Sequence, residues 1–183
     1  MVQRVATVAF EVIEARAVDV QVQVAPGLPA FNVVGLPDKA VSLAPADLPK
    51  EGSHYDLPIA LGLMAAIGAI PSDALSGFTV LGELGLDGSI AAVAGVLPAA
   101  IGANARGEGL ICPAACGAEA AWASPEIEIV AAASLIQLAN HFRGTQVLAR
   151  PQPKIRNFDG ALVDLKDARA RRAPSARSKC RRP

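Results

Sequence analysis

The sequence predicts an α+β domain in which a sheet and its helices pack as two layers, and three observations predict it. Val18, Val20, Val22 and Val24 alternate strictly with Asp19, Gln21 and Gln23, the period-two signature of a strand with one wet face. Residues 57–67 are wholly apolar and too long for an ordinary strand, so they read as a buried helix. From residue 78 onward, short β-rich runs alternate with helical segments to about residue 142.

Composition sets the limits on these elements. A chain of 183 residues holds one domain with its own core, plus a tail. It is 52% hydrophobic but only 4% aromatic, so the core is built from Val, Leu, Ile and Ala, and helix and sheet must approach closely. The formal net charge of +0 hides an asymmetry, because residues 168–183 carry seven Lys and Arg and no acid. The remaining ten basic residues face all 17 acids, which gives residues 1–167 a formal charge of −7. The N-terminus has too short an apolar run for a signal peptide. The longest uncharged stretch, residues 57–72, falls below the roughly 20 residues a membrane-spanning helix needs. Cys112, Cys116 and Cys180 lack the paired spacing of a zinc site and read as reduced thiols. A cytoplasmic protein is expected.

Taken in order, residues 5–10 form a first strand and residues 18–24 a second, closed by the Pro-Gly turn at 25–29. Residues 30–34 read as a third strand. If residues around Leu43 were its parallel neighbour, the crossover would need about a dozen residues, and only the eight residues 35–42 are available. The helix over 57–67 begins beyond a polar loop, with Ser53 or Asp56 as its cap and Pro58 in its first turn, and Pro71 ends it. Residues 78–84 and 89–93 read as a hairpin about Asp87-Gly88. Then follow a helix over 96–105, a strand over 109–112, a helical turn over 119–123, a strand over 127–131, and a helix over 134–142 stopped by Gly144. The domain is expected to span residues 1–144, with 145–167 a linker and 168–183 a basic disordered tail.

The polar loop is where chemistry would sit. Lys50, Glu51, Ser53, His54, Tyr55 and Asp56 fall within seven positions. Ser53 with Lys50 could form a nucleophile-base pair, but capping is the simpler role for Ser53. His54 and Asp56 lack a further ligand cluster for a metal. His141 lies near a helix end, where a cation suits the dipole. Glu83 and Asp87 read as solvated turn residues, and Cys112 as a small core residue. The Arg-rich tail could touch nucleic-acid phosphates, yet it lacks aromatic residues for stacking. No catalytic, cofactor-binding or metal-binding residue is therefore assigned. A small Ser peptidase and a free-standing nucleic-acid-binding module are the alternatives.

Several longer motifs carry a resemblance. Arg4-Val-Ala-Thr-Val-Ala-Phe, Val20-Gln-Val-Gln-Val-Ala-Pro-Gly-Leu-Pro-Ala-Phe, Val33-Val-Gly-Leu-Pro-Asp-Lys-Ala-Val, the run from Leu43 to Leu61, and Leu81-Gly-Glu-Leu-Gly-Leu-Asp-Gly-Ser-Ile resemble the N-terminal domain of the magnesium-chelatase-subunit-like AAA+ ATPases, the YifB/ComM family. The resemblance covers about residues 1–165. It implies the Lon proteolytic-domain-like, ribosomal protein S5 domain 2-like fold. It also implies a parent that binds ATP and Mg, assembles as a ring and is implicated in DNA branch migration during natural transformation. Aligned with the Lon motif, Asp56 stands where the nucleophilic Ser would be and Leu97 where its Lys would be. No Gly-x-x-x-x-Gly-Lys-Ser/Thr occurs to cradle phosphates, so neither ATPase nor peptidase activity is expected of this chain, and no cofactor. In the family, a helix and the start of a strand separate Asp38-Lys-Ala-Val from Leu-Ala-Pro-Ala-Asp. Here they are missing at Val41-Ser42-Leu43, the same place where the crossover is too short. The chain also departs from the family near Leu165, as a shifted reading frame or truncated gene would make it do. Losing part of a strand strands hydrogen-bonding groups at about 1–3 kcal/mol each when buried, so marginal stability is expected.

Overall fold

The computed structural model describes residues 2–11, 14–23, 41–44 and 52–154. The expected strand over 30–34, the turn at 25–29, Lys50 and Glu51, and the Arg-rich segment 168–183 with Cys180 lie outside the described residues. Among the described residues, eight strands and four helices follow in chain order: β1 (Val2–Glu11), β2 (Glu14–Gln23), β3 (Val41–Ala44), α1 (Asp56–Ala66), β4 (Phe78–Val80), β5 (Glu83–Leu84), β6 (Ile90–Ala91), α2 (Val96–Ala105), β7 (Gly109–Pro113), α3 (Gly117–Ala120), β8 (Ile129–Ala132) and α4 (Leu135–Phe142). Six strands form one mixed sheet in the order β3-β2-β1-β4-β7-β8, and β5 pairs with β6 apart from it.

The sheet is antiparallel at one side and parallel at the other. β1 and β2 pair antiparallel along their whole length, from Val2 opposite Gln23 to Glu11 opposite Glu14. β4 runs parallel to β1 and β7, and β8 runs parallel to β7. β3 lies antiparallel on β2, with Val41 opposite Val22 and Ala44 opposite Asp19. The described neighbour of β3 is therefore β2; the expected strand over 30–34, on which the crossover was reckoned, lies outside the described residues.

The two-layer expectation is corrected. Successive side chains of a strand point to opposite faces, and here both faces are covered. One core holds Val5, Val20, Val22, Val80, Ile111 and Val130 against Leu57, Leu61 and Ala65 of α1 and Leu138 of α4. The other holds Val8, Leu81, Leu110, Cys112 and Ile129 against Val96, Ala99 and Ala103 of α2 and Ala120 of α3. In β7, Leu110, Ile111 and Cys112 are all fully buried because consecutive residues meet different helices. Short apolar runs buried on both faces belong to the parallel part of the sheet, whereas β2, wetter on one face, keeps the alternation seen in the sequence.

The low aromatic content lets helix and sheet come close. A Cβ added at Gly62 of α1 would stand 2.9 Å from Val22 and 3.1 Å from Val5, so the helix backbone rests directly on the two valines. On the opposite face, the fully buried Thr79 donates to Glu108 Oε2 at 2.5 Å and accepts from Arg106 Nη2 at 2.8 Å. This triad ties the turn after α2 to β4.

Other boundaries shift by a few residues. The run over 78–84 bends at Leu81-Gly82, so Phe78–Val80 joins the main sheet and only Glu83–Leu84 enters the hairpin. Asp87 shapes that hairpin, its carboxylate accepting from the Ser89 amide at 3.0 Å and hydroxyl at 2.6 Å, and Gly88 takes φ 79°. The helical turn expected over 119–123 starts earlier, in a 3-10 turn at Ala114–Cys116 followed by α3. Ser134 caps α4 by accepting from the Gln137 amide, and Gly144 ends it at φ 75°. Residues 145–154 run back along the domain. The Leu148 amide donates to His141 Nδ1 at 3.2 Å, and the Arg150 guanidinium donates to Ser124 O at 2.8 Å and Ile127 O at 3.1 Å. His141 Nδ1 thus serves as an acceptor for the returning backbone near the end of α4.

Gly62→Val tests the close approach of α1. Overpacking against Val5 and Val22 is expected to lower unfolding free energy by about 1–3 kcal/mol, read as a lower denaturant midpoint at unchanged slope.

Candidate functional site

The polar loop becomes a 3-10 turn, Ser53–Tyr55, leading directly into α1. Neither Ser53 nor Asp56 caps the helix. The residue at the cap position is Tyr55, which makes no side-chain cap bond. Ser53 Oγ instead donates to Glu83 Oε2 at 2.6 Å, a charge-assisted bond between the turn and the hairpin. Asp56 is the first residue of α1, and its carboxylate accepts from the Leu84 amide. Burial pushes the Asp56 carboxyl above its ordinary range, and the nearby Glu83 charge adds to this against the Leu84 bond and His54.

His54 is the most constrained of the group. Only 8% exposed, it donates from Nε2 to the Val8 carbonyl at 3.0 Å. Its ring sits 4.1 Å from that of Tyr55 and 5.2 Å from that of Phe10, centroid to centroid. Gly52 adopts φ 120°, and a Cβ there would stand 2.7 Å from His54 Nδ1, so only glycine fits beside the imidazole. Burial pushes the His54 pKa below its ordinary 6.5, outweighing the Val8 bond and Asp56. The ring is therefore a neutral donor at physiological pH, already committed to backbone. Tyr55 is also buried, its pKa raised by burial, and neither its hydroxyl nor that of Thr7 has a hydrogen-bond partner among the described residues.

The elements explain why these residues meet. The backbone crosses itself here: the Gly82 amide donates to His54 O and the Leu57 amide donates to Gly82 O, both at 3.0 Å. The bend between β4 and β5 is thereby hydrogen-bonded into the entrance of α1. The structure thus brings Ser53, His54 and Asp56 together with Glu83, a partner the sequence spacing did not reveal because it lies 30 residues further on. Asp87 remains a turn residue. Leu97, in the first turn of α2, has no titratable group.

The remaining candidates are separate from this cluster. Cys112 and Cys116 are free and buried, and burial pushes the Cys112 thiol up to about 12. It stays protonated and inert as a nucleophile. At the far end of α1, about 16 Å away by helix rise, an open groove is lined by residues 65–72 and Arg143. Its guanidinium Nε donates to Ala69 O at 2.7 Å, which engages the groove's charged group structurally. Among the described residues, no group of three or more His, Cys, Asp or Glu gathers to hold a metal ion. No helix among them is long and apolar enough to cross a membrane.

With this geometry in hand, comparison with known proteins gives a consistent answer. Residues 40–116 match the family described as subunit ChlI of Mg-chelatase. The chain is 31% identical to the protein YifB of Salmonella typhimurium over 180 residues, covering 85% of this chain and 35% of that protein. It is 31% identical to the competence protein ComM of Haemophilus influenzae over 185 residues, covering 85% and 36%. It is 34% identical to YifB of Escherichia coli over 124 residues, covering 54% and 24%. The chain thus spans about a third of the length of the first two relatives.

The coverages also show that the relatives hold aligned positions with no counterpart in this chain. The Salmonella alignment runs over 180 positions but draws on 85% of 183 residues, about 156, leaving about 24 positions with no counterpart here. The Escherichia coli alignment runs over 124 and draws on 54%, about 99 residues, leaving about 25.

The depressed pKa of His54 has a consequence for stability. Below about pH 6.5 the unfolded chain takes up a proton that the folded ring resists, so stability falls as pH drops through that window. The raised Asp56 pKa acts oppositely nearer its ordinary 3.8, where proton uptake favours the fold. Thermal melts from pH 7.5 to 5.5 are expected to show the loss, and His54→Gln to flatten it; a wild-type profile equally flat contradicts the assignment.

Proposed function

Because the chain belongs to the magnesium-chelatase-subunit-like family that includes YifB and ComM, we propose that it is a non-catalytic accessory domain with the Lon-like, S5 domain 2-like fold. Its role is to present a surface within a larger ATP-dependent assembly, and it turns over no substrate of its own. The observation that carries this reading is the state of the α1 entrance. The helix position matched to a peptidase Ser is Asp56, held by the Leu84 amide. The position matched to the Lys is Leu97, which cannot take a proton. The Ser53 hydroxyl donates a hydrogen bond to Glu83, and the His54 imidazole is occupied by the Val8 carbonyl. A nucleophile needs a base free to accept its proton, and that arrangement is not supported here.

ATP and Mg binding, ring assembly and work on DNA are assigned, within this proposal, to the part of the relatives that this chain does not span. The name competence protein belongs to the Haemophilus relative; for the present chain a role in DNA uptake is an extension of it. The Ser53–Glu83 pair supports no second, hydrolytic reading, because a carboxylate is intrinsically a weak base toward an aliphatic hydroxyl.

Hydrolysis of a generic fluorogenic peptide separates the readings. Purified chain, Ser53→Ala and Asp56→Ala are all expected to match buffer. Turnover that falls on either substitution contradicts the non-catalytic assignment.

A further inference from the structure

Helix α4 carries an outward stripe with an apolar knob fastened to one end and an apolar groove at the other. Leu138 and Ala139 are buried, while Ile136 is 69% exposed and Arg143, the C-cap, lies at the surface. Ile136 and Arg143 stand seven residues apart and so share one face of the helix, about 10 Å from end to end.

The knob is Leu86. It occupies the tip of the β5–β6 hairpin, in the turn that the Gly88 amide closes on Gly85 O at 2.9 Å, and its side chain is fully exposed. Gly, Pro, Asn, Asp and Ser dominate such turns, so no demand of the hairpin selects leucine there. The tip is held firmly. Asp87 Oδ1 accepts from the Ser89 amide and hydroxyl, the Leu135 amide donates to Gly88 O, and the Ile90 amide donates to Ala133 O, both at 2.9 Å. These bonds fasten the hairpin to the first turn of α4, one residue from Ile136. Beside Leu86, the second carboxylate oxygen of Asp87 has no hydrogen-bond partner among the described residues.

The groove at the other end of α4 is lined by residues 65–72 and Arg143. Ala65, Ala66, Ile67, Ile70 and Pro71 make it apolar, and Ile67 is 62% exposed. Arg143 is tied through Nε to Ala69 O, but the guanidinium pairs with no carboxylate among the described residues. Such a groove suits an aliphatic side chain with a carboxylate next to it, and Leu86-Asp87 is that pair.

We propose that a second copy of this chain docks on the α4 stripe, with Leu86 of each copy entering the groove of the other and Asp87 reaching Arg143. A two-fold axis crossing α4 makes both contacts at once, because it sets the two helices antiparallel and brings each knob against the opposite groove. Apolar burial supplies the attraction, and the complementary charges fix the register. This contact goes beyond the accessory role proposed above and holds whether or not the domain is catalytic.

Sedimentation equilibrium of the full chain tests the contact. A dimer is expected whose fraction rises with concentration and falls with added salt. Leu86→Asp is expected to weaken association about tenfold or more while leaving circular dichroism and the melting temperature unchanged, since the side chain is fully exposed. Hydrogen exchange locates the surface: amides at 67–72 and 85–88 are expected to gain protection as concentration rises. A chain that stays monomeric up to about 1 mM overturns the proposal, as does a dimer that Leu86→Asp leaves intact. Association that climbs past two copies overturns the two-fold arrangement in favour of head-to-tail contacts. Protection of 67–72 that persists at every dilution overturns it in favour of an occupant from within the same chain.

Discussion

The crossing of backbones at Gly82 holds the two cores together. Its amide reaches His54 O, its carbonyl receives the Leu57 amide, and a Cβ there would stand 2.8 Å from the Leu57 side chain. From this point His54 continues the interlock to Val8 of β1. Phe10 carries it on to α2, because its ring lies against the His54 ring and a Cβ on Gly95, at φ 82°, would stand 2.6 Å from Phe10. Helix α1 on one face and helix α2 on the other are thus both set from the same few residues of β1. Each close approach depends on a missing side chain, at Gly52, Gly82 or Gly95, and a methyl group at any of them would displace a neighbour already in contact.

This interlock explains why a loop dense in reactive residue types supports a structural rather than a chemical reading. Each polar group is committed: the imidazole to a backbone carbonyl, the Ser53 hydroxyl to Glu83, and the Asp56 carboxylate to the Leu84 amide. Catalytic groups need the opposite, a free pair within reach of a substrate. Two buried hydroxyls, on Thr7 and Tyr55, find no partner among the described residues. Buried and unsatisfied, each costs about 1–3 kcal/mol against a usual total margin of about 5–15 kcal/mol.

Much of the fold was legible because local rules and tertiary demands agree. The alternating valines of β2 bury Val18, Val20 and Val22 as expected, and α2 occupies the expected residues 96–105, an uncharged run bounded by Gly95 and Arg106. The layering was not legible. Short runs such as 109–113 look the same whether one face or both are covered, and only the contacts of Leu110, Ile111 and Cys112 with different helices decide it. The bend at Leu81-Gly82 was hidden too, since β-rich residues on either side disguise a change of sheet. In the candidate site, the cluster 53–56 was visible as a cluster, but its partners Val8, Glu83 and Leu84 are distant in sequence and carry no motif. The capping roles given to Ser53 and Asp56 failed for that reason: a side-chain acceptor at a helix start usually serves the helix, and here a neighbouring hairpin outcompetes it.

The central claim is that His54 is a structural donor and not a chemical group. Its protonation state and tautomer, measured by nitrogen-detected NMR titration of the imidazole in the full chain, test this most directly. The account predicts a neutral ring protonated on Nε2, with a pKa below the ordinary 6.5 and an Nε2 proton slow to exchange. A pKa above 6.5, or a proton residing on Nδ1, contradicts it.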